Sequence, residues 1–577
     1  MSNPAQACVV GACVALGLAR AYAFRWSCDD AFIGFRYAEN LARGDGLVFN
    51  VGERVEGYTN LLWTIGIAPA FLLGISPEAW TQAWGAAFYA VTVLILGALH
   101  AVFATTSLRG RRAVVPFAAL AAASHREWAI FAVSGLETAA FVCAALAGFA
   151  VLAWPSDRRR ALRGALAGGL FGLATLYRPD GIAFGAAAGL WTVGRAAAAW
   201  FEGRRAPAAA ASRRSEVTSA ALYALVFVAF VAGQTLFRAS YYGELLPNTY
   251  YAKSGGVAWY AQGLLYLWGY ILRYPPLVLA PMAMAWIVAR PRSSALRRKV
   301  LGPASLAMLL GAVHAFWCVR VGGDFMFARF LIPSTAFFLV VLELGLITAS
   351  ETRPRAATAG AVAAVAAIAF LPSPLLPNVL EGGIMDEYAY YSRDRVDFIE
   401  AQARAIRPVL EGLDARVAFY SSQARLVYRA RLPLAVESET GLTDAFVARQ
   451  AVSGRRRVGH EKRAPASYLV DVRRVHLATS ARRRPEIDGH VPYVPIVVGG
   501  VNMRLLHWDP DFVRRLRARG VEVPDYPAML EAAGPILEGM TLDEARREHA
   551  RARHFYFAFV DDPRRERPFL ERLAREQ

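Results

Sequence analysis

Two carboxylates stand side by side at Asp29 and Asp30, in the run Ser27-Cys28-Asp29-Asp30-Ala31-Phe32-Ile33-Gly34-Phe35-Arg36-Tyr37, directly after a first apolar stretch. Adjacent like charges repel and raise each other's pKa, so such a pair persists where something uses it. At the point where an apolar helix hands over to water, the pair is a candidate for acid–base chemistry on that surface. Further acids interrupt the later apolar runs: Glu56, Glu137, Asp180, Glu244 and Asp324. Aromatics and cations accompany them in Arg36-Tyr37, Glu56-Gly57-Tyr58-Thr59-Asn60, Tyr177-Arg178 and Tyr241-Tyr242, with Lys253 and Arg329 near the same level. Aromatic faces stack on sugars while Asn, Glu and Arg bind hydroxyls, and Arg with Lys can hold a phosphate. An aromatic belt at a membrane boundary explains Tyr and Trp in general, but not their pairing with Asp, Asn and Arg.

The elements that must position these groups are membrane helices. The chain has 577 residues, 56% hydrophobic and 12% aromatic. Its apolar residues come in runs of about 20, the length a helix needs to cross a bilayer. This predicts a polytopic α-helical membrane protein. The formal net charge of +18 reads as Arg-rich cytoplasmic loops, not as a nucleic-acid patch. The clusters are Arg109/Arg111/Arg112, Arg158/Arg159/Arg160/Arg163, Arg204/Arg205/Arg213/Arg214, Arg290/Arg292/Arg297/Arg298/Lys299 and Arg353/Arg355. Lysine is rare, with only Lys253, Lys299 and Lys462.

Alternation of Arg clusters with acid-bearing breaks predicts about eleven spans. A first helix over about 6 to 25 runs outward, and residues 26–60 form a large outer loop. Spans follow near 81–108, 113–133, 138–155, 162–177, 181–200, 217–238, 262–289, 300–318, 329–349 and 356–373. The apolar segment 61–75 reads as a helix at the outer interface. Ala21-Tyr22-Ala23 resembles a cleavage site, but no basic segment precedes the apolar stretch, and either outcome leaves Asp29 and Asp30 outside. Every acid-bearing break then falls on the outer side, so Asp29, Asp30, Glu56, Glu137, Asp180, Glu244 and Asp324 are expected to line one cavity mouth. Ionisable groups at membrane depth are costly and default to function.

The membrane part is expected to end near residue 375. Residues 376–577 have mixed patterning and predict a soluble extracytoplasmic α+β domain. Asp386 to Leu410, Pro510 to Arg519 and Leu542 to Arg553 read as helices. Residues 417–420, 468–470 and 493–498 read as strands. The five cysteines give neither a disulfide framework nor a CxxC metal site. Ala206 to Ser212 is a small low-complexity loop. No glycine-rich phosphate loop stands in a strand–helix setting, so nothing suggests nucleotide binding.

Three runs carry a resemblance. They are Asp29-Asp30-Ala31-Phe32-Ile33 with Phe35-Arg36-Tyr37; Gly46-Leu47-Val48-Phe49-Asn50 continuing to Glu56-Gly57-Tyr58-Thr59-Asn60 and Leu62-Trp63-Thr64; and Pro247-Asn248-Thr249-Tyr250-Tyr251 with Lys253. Together they resemble polyprenyl-phosphate-sugar glycosyltransferases of the GT-C fold, and within that class the mycobacterial terminal β-(1→2)-arabinofuranosyltransferase family. Arg178-Pro179-Asp180-Gly181 and Gly322-Gly323-Asp324-Phe325 fit the same pattern. The C-terminal region matches no motif.

The resemblance implies a multi-pass protein of the bacterial cytoplasmic membrane with its active site facing outward. It implies inverting transfer of a sugar, arabinofuranose being the extrapolation, from a polyprenyl-phosphate donor to a glycan or lipid acceptor. Asp29 or Asp30 would be the general base, with Asp29 slightly favoured and its partner orienting the acceptor or helping to bind an optional divalent metal. Arg36, Tyr37, Glu56, Tyr58, Asn60, Glu137, Arg178, Asp180, Tyr241, Asn248, Tyr250, Lys253, Asp324 and Arg329 would bind substrate. A transporter or flippase for a lipid-linked glycan is the alternative. It would carry inverted repeats and midplane acids, and no matching halves are visible. A scaffold without chemistry leaves the Asp pair unexplained.

Overall fold

A computed structural model describes residues 4–104, 115–155, 159–205, 210–253, 256–290, 295–372, 383–420, 423–452, 457–479 and 493–575. Arg109, Arg111, Arg112, Arg158, Arg292 and the start of the low-complexity loop at 206–209 lie outside the described residues. So does the expected domain boundary near 376.

The first part is a helical bundle: α1 (Pro4–Ala23), α2 (Ala31–Arg43), α3 (Leu61–Leu72), α4 (Pro77–Ala104), α5 (Phe117–Ser124), α6 (Arg126–Ala132), α7 (Thr138–Ala153), α8 (Arg160–Tyr177), α9 (Gly181–Arg205), α10 (Ala210–Tyr242), α11 (Asn248–Ala252), α12 (Tyr260–Arg273), α13 (Ala280–Ala289), α14 (Ala295–Arg320), α15 (Ile332–Ser350) and α16 (Pro354–Phe370). Among the described residues six helices are long and apolar enough to cross a membrane, or seven with one bent pair counted as a span. The chain is a multi-pass membrane protein. A helix stands at each of the eleven expected spans, but not every one is long enough to cross by itself.

Two expected spans are broken. The stretch 262–289 bends by 101° between α12 and the segment that starts at Pro275. Pro275 and Pro276 lack the N–H groups a continuing helix needs, and the residue before a proline is pushed out of helical geometry. The stretch 113–133 divides at His125, whose ring Nδ1 accepts from the Trp128 backbone N–H at 3.1 Å and so caps α6. At 12 residues α3 is about 18 Å long, short of a span. It carries Pro69 inside.

The C-terminal part is α+β. Strands β1 (Arg416–Phe419), β2 (Leu434–Glu437), β3 (Leu477–Thr479), β4 (Val494–Val498) and β5 (Val501–Leu505) form one sheet in the order β2-β1-β3-β5-β4. β1 is parallel to β2 and β3, while β3–β5 and β5–β4 are antiparallel. The expected strand at 468–470 is instead a π-helical turn over Tyr468–Val472. Periodicity alone does not separate a short buried run of one kind from the other. The expected helix 386–410 is two, α17 (Glu387–Tyr390) and α18 (Arg393–Leu410), with Ser392 capping the second. Helices Pro510–Ala518 and Leu542–Ala552 stand where expected.

This domain is docked on the first loop. In α19 (Ala424–Arg429) the Arg425 guanidinium donates to the Ser27 carbonyl at 2.6 Å and lies 4.4 Å from the Phe32 ring. Tyr37, Leu47, Phe49 and Tyr58 share a hydrophobic core with Val417, Phe419 and Ala435 of the sheet.

Candidate active site

The Asp pair sits at the start of α2 and its two members have different surroundings. Asp29 is 2% exposed. Its carboxylate accepts from the backbone N–H groups of Ala424 at 2.9 Å and Arg425 at 3.0 Å, the first turn of α19. Burial pushes its pKa up to about 6, against the amide bonds that favour the charge. Asp29 therefore pins the C-terminal domain to the first loop. Asp30 lines the cavity described next, and among the described residues its side chain has no hydrogen-bond or ion-pair partner. Burial raises its pKa as well, while Arg329 and Lys253 oppose the rise. The two members of the pair thus differ: two backbone amides hold Asp29, whereas the Asp30 side chain has no hydrogen-bond partner among the described residues.

The cavity has a volume of about 320 Å³. It lies where α7 and α9 begin and α8 and α14 end, under the start of α2 and beside the segment 246–253. Its lining includes the apolar side chains of Trp63, Ile67, Leu136, Trp317, Val321 and Phe330, the acids Asp30, Glu137, Asp180 and Asp324, and the cations Arg178, Lys253 and Arg329. Leu442, Val458 and Gly459 close it from the C-terminal domain.

Local sequence explains how these groups reach it. Pro179 forces Arg178 into extended backbone, at φ −154° and ψ 137°, which ends α8 and turns the chain. Asp180 follows, and Gly181 starts α9 so close to α8 that a Cβ would stand 2.7 Å from the Ala174 carbonyl carbon. The Arg178 guanidinium is held by Asp180, Nε to Oδ1 at 2.9 Å, and by Glu137 at 3.4 Å, with the Phe330 ring 4.4 Å from its centre. Glu137 also accepts from Asn60 at 2.8 Å. On the facing loop Gly323, at φ +72°, packs against the Tyr266 ring where no side chain fits, and this turn presents Asp324 to Arg329 at 2.7 Å. Lys253 has neither a hydrogen-bond nor an ion-pair partner among the described residues. Its side chain is exposed to solvent, and desolvation by the surrounding protein, with Arg329, lowers its pKa while Asp324 and Asp30 oppose.

Ten of the expected site residues line this cavity: Asp30, Tyr58, Asn60, Glu137, Arg178, Asp180, Tyr250, Lys253, Asp324 and Arg329. Asp29 instead borders a smaller cavity of about 30 Å³ that Asp30 also lines, together with Glu437, Thr440 and His460. The others have framework roles. Arg36 donates to the carbonyls of Phe49 at 2.6 Å and Pro433 at 3.1 Å. Tyr37 bridges Val55 and Gly57. Glu56 forms a buried pair with Arg238 of α10. Tyr241 accepts from the Leu47 N–H at 2.9 Å. Asn248 donates to the carbonyls of Gly441 and Leu442, tying α11 to the C-terminal domain. Glu244 pairs with Arg449 at the surface. The expectation that seven acids line one mouth is therefore corrected to four.

Sequence reasoning missed the C-terminal contribution, because Leu442, Val458 and Gly459 belong to no motif. It also missed His314 of α14, which contacts Asp180 at 3.0 Å. A lone histidine in an apolar span was the available signal. Among the described residues no group of three or more His, Cys, Asp or Glu is placed to hold a metal ion.

No family model matches the sequence. Over 359 residues, 56% of its length, the chain is 30% identical to the terminal beta-(1->2)-arabinofuranosyltransferase of Mycobacterium tuberculosis and covers 52% of that protein. It is 27% identical over 339 residues to the protein of the same name from Corynebacterium glutamicum, covering 48% of it. The chain thus spans about half the length of the curated relatives it matches. Among solved structures it superposes on ArnT from Cupriavidus metallidurans bound to undecaprenyl phosphate, with a TM-score of 0.50 at 12% identity over 88% of this chain and 98% of that one. The apo state of the same protein gives 0.50 at 13% identity over 86% and 97%. The GT-C-type membrane fold expected from the sequence is the fold of this chain.

Proposed function

We propose that this chain is a membrane glycosyltransferase. It moves a sugar, with arabinofuranose the first candidate, from a polyprenyl-phosphate donor to a cell-envelope glycan or lipid acceptor at the outer face of the bacterial cytoplasmic membrane. The observation that carries the proposal is the Asp30 carboxylate, without a hydrogen-bond partner among the described residues, in one cavity with Lys253, Arg178, Arg329 and several apolar side chains. Such a carboxylate suits a base, the cations suit a phosphate, and the apolar side chains suit the first units of a lipid tail. The names of the arabinofuranosyltransferase relatives support the sugar, and the undecaprenyl phosphate in the ArnT structure supports the carrier.

In this reading Asp30 accepts the proton of an acceptor hydroxyl as its oxygen forms a bond to the sugar C1. The C1–O bond to phosphate breaks on the opposite face, and its electron pair leaves with the phosphate. The configuration therefore inverts. Lys253, Arg329 and Arg178 stabilise the charge on the leaving phosphate. The C-terminal domain guides the acceptor, which Leu442, Val458 and Gly459 on the cavity wall support.

The test is transfer from a radiolabelled polyprenyl-phosphate sugar by the purified full chain in nanodiscs, with nucleotide sugar as control. Mass spectrometry of surface glycans from a deletion strain identifies the terminal residue that disappears. No transfer from any lipid-phosphate pentose or hexose, together with unchanged surface glycans, would overturn the proposal.

A further inference from the structure

Arg178 faces the cavity, but the groups that hold it reach well behind it. Asp180 Oδ2 accepts from Arg178 Nη2 at 3.0 Å and is also 3.0 Å from His314 Nε2. The other ring nitrogen, Nδ1, is 2.8 Å from the Ser334 hydroxyl oxygen. Asp180, ionised beside Arg178, can only accept, so Nε2 carries the hydrogen whichever charge the ring bears. In the neutral ring Nδ1 then accepts from Ser334. The result is an ordered chain from Ser334 through His314 and Asp180 to Arg178. Its members come from α15, α14 and the turn between α8 and α9. His314 is fully buried and stacked on Phe184 at 4.5 Å, with ring planes 10° apart.

This arrangement has a specific mechanical consequence. Asp180 holds the Arg178 fork through both oxygens. A carboxylate tied only to that arginine could turn with it as a unit. The bond from His314 fixes the plane of the carboxylate to α14, and the carboxylate fixes the plane of the guanidinium in the cavity. We propose that His314 is a positioning residue that sets the orientation of Arg178 toward the donor phosphate, with Ser334 setting the ring's hydrogen placement. The inference rests on the lipid-phosphate donor proposed above and names a residue that reaches the donor only through Asp180 and Arg178.

Three variants test it in the full chain: His314→Phe keeps ring shape and stacking without the N–H, His314→Gln places an amide N–H near the position of Nε2, and His314→Asn places one near Nδ1. Two readouts are needed, the KM for the polyprenyl-phosphate-sugar donor against kcat at saturating acceptor, and the binding of polyprenyl phosphate alone. Losing one hydrogen bond to a charged group predicts a donor KM raised about ten- to hundredfold in His314→Phe. His314→Gln should recover to within about threefold of wild type, His314→Asn should stay impaired, and the acceptor KM should not move. Ser334→Ala should give a smaller effect of the same kind. If His314→Phe does not fold, the contrast between Gln and Asn carries the decision. Equal impairment of all three variants reduces His314 to a packing residue, and wild-type behaviour of all three removes it from the site. Either result overturns this proposal alone. A wild-type protein that neither turns over nor binds polyprenyl phosphate overturns the donor reading, and this inference with it.

Discussion

Asp30→Asn and Asp29→Asn are near-identical changes, one residue apart, with opposite expected outcomes. Asn keeps the volume of Asp and removes the charge and the basic oxygen. At position 30 this removes the base we propose. General bases contribute about 10²- to 10⁴-fold, so the barrier should rise by about 3–5 kcal/mol. Stability should not fall, because the Asp30 side chain has no partner among the described residues and burial already disfavours its charge. At position 29 the base is untouched. Burial holds Asp29 at about 6, so carrying its charge in the fold at pH 7 costs about 3 kcal/mol relative to an ordinary aspartate. Asn removes that cost but turns an NH₂ toward one of the two backbone N–H groups of α19. The two effects oppose, and stability should move by no more than about 2 kcal/mol. The assay is initial-rate sugar transfer from the lipid-phosphate donor by nanodisc preparations, matched by thermal unfolding. Loss of transfer by Asp29→Asn at wild-type stability, with Asp30→Asn still active, would refute the assignment.

Three further outcomes follow from particular contacts. The folded pKa of about 6 at Asp29 lies above that of the unfolded chain. The fold therefore binds this proton more tightly, and wild-type stability should fall relative to Asp29→Asn by about 2 kcal/mol as pH rises from about 4 to 7. Thermal unfolding of both proteins across that range would show it, and parallel curves would contradict it. Arg238→Met strands the Glu56 carboxylate in its buried pair, which should cost about 3–5 kcal/mol of stability while leaving the donor KM of the surviving folded protein unchanged. Lys253→Met removes a cavity cation that has no ion-pair partner among the described residues. Donor KM should rise about tenfold or more with unchanged stability, and an unchanged KM would exclude Lys253 from phosphate binding.

The membrane fold was legible because its signals are local and strong. Apolar length marks helices, and the Pro179-Asp180-Gly181 turn is visible as residues that cannot continue a helix. The break at Tyr274–Pro275 was equally visible in two consecutive prolines, yet the length of the apolar run concealed a 101° bend. What local signals do not carry is which oxygen ends up against which donor across the chain. Asp29 is held by N–H groups 395 and 396 residues away, and Glu56 by an arginine 182 residues away. Both look as reactive in sequence as the residues that line the cavity.

The same difficulty bears on the Asp pair, whose two members look alike in sequence and differ in their surroundings. A charged pair at a helix start satisfies two requirements together: a carboxylate to receive the amides of α19, and a carboxylate left without a partner. The first holds the C-terminal domain against the loop, and this domain brings Leu442 and Gly459 to the cavity wall. The second needs that wall in place to be enclosed. One consequence separates this division of labour from two interchangeable acids. Removing the first carboxylate by Asp29→Asn with Asp30 kept should preserve chemistry, whereas a change of reach at position 30, Asp30→Glu, should not, because the carboxylate would move by about one methylene in a site where a misplacement of about 1 Å costs about 10²-fold. Full activity in Asp30→Glu would mean that the base is not held in a fixed geometry, and the assignment of Asp30 would then rest on charge alone.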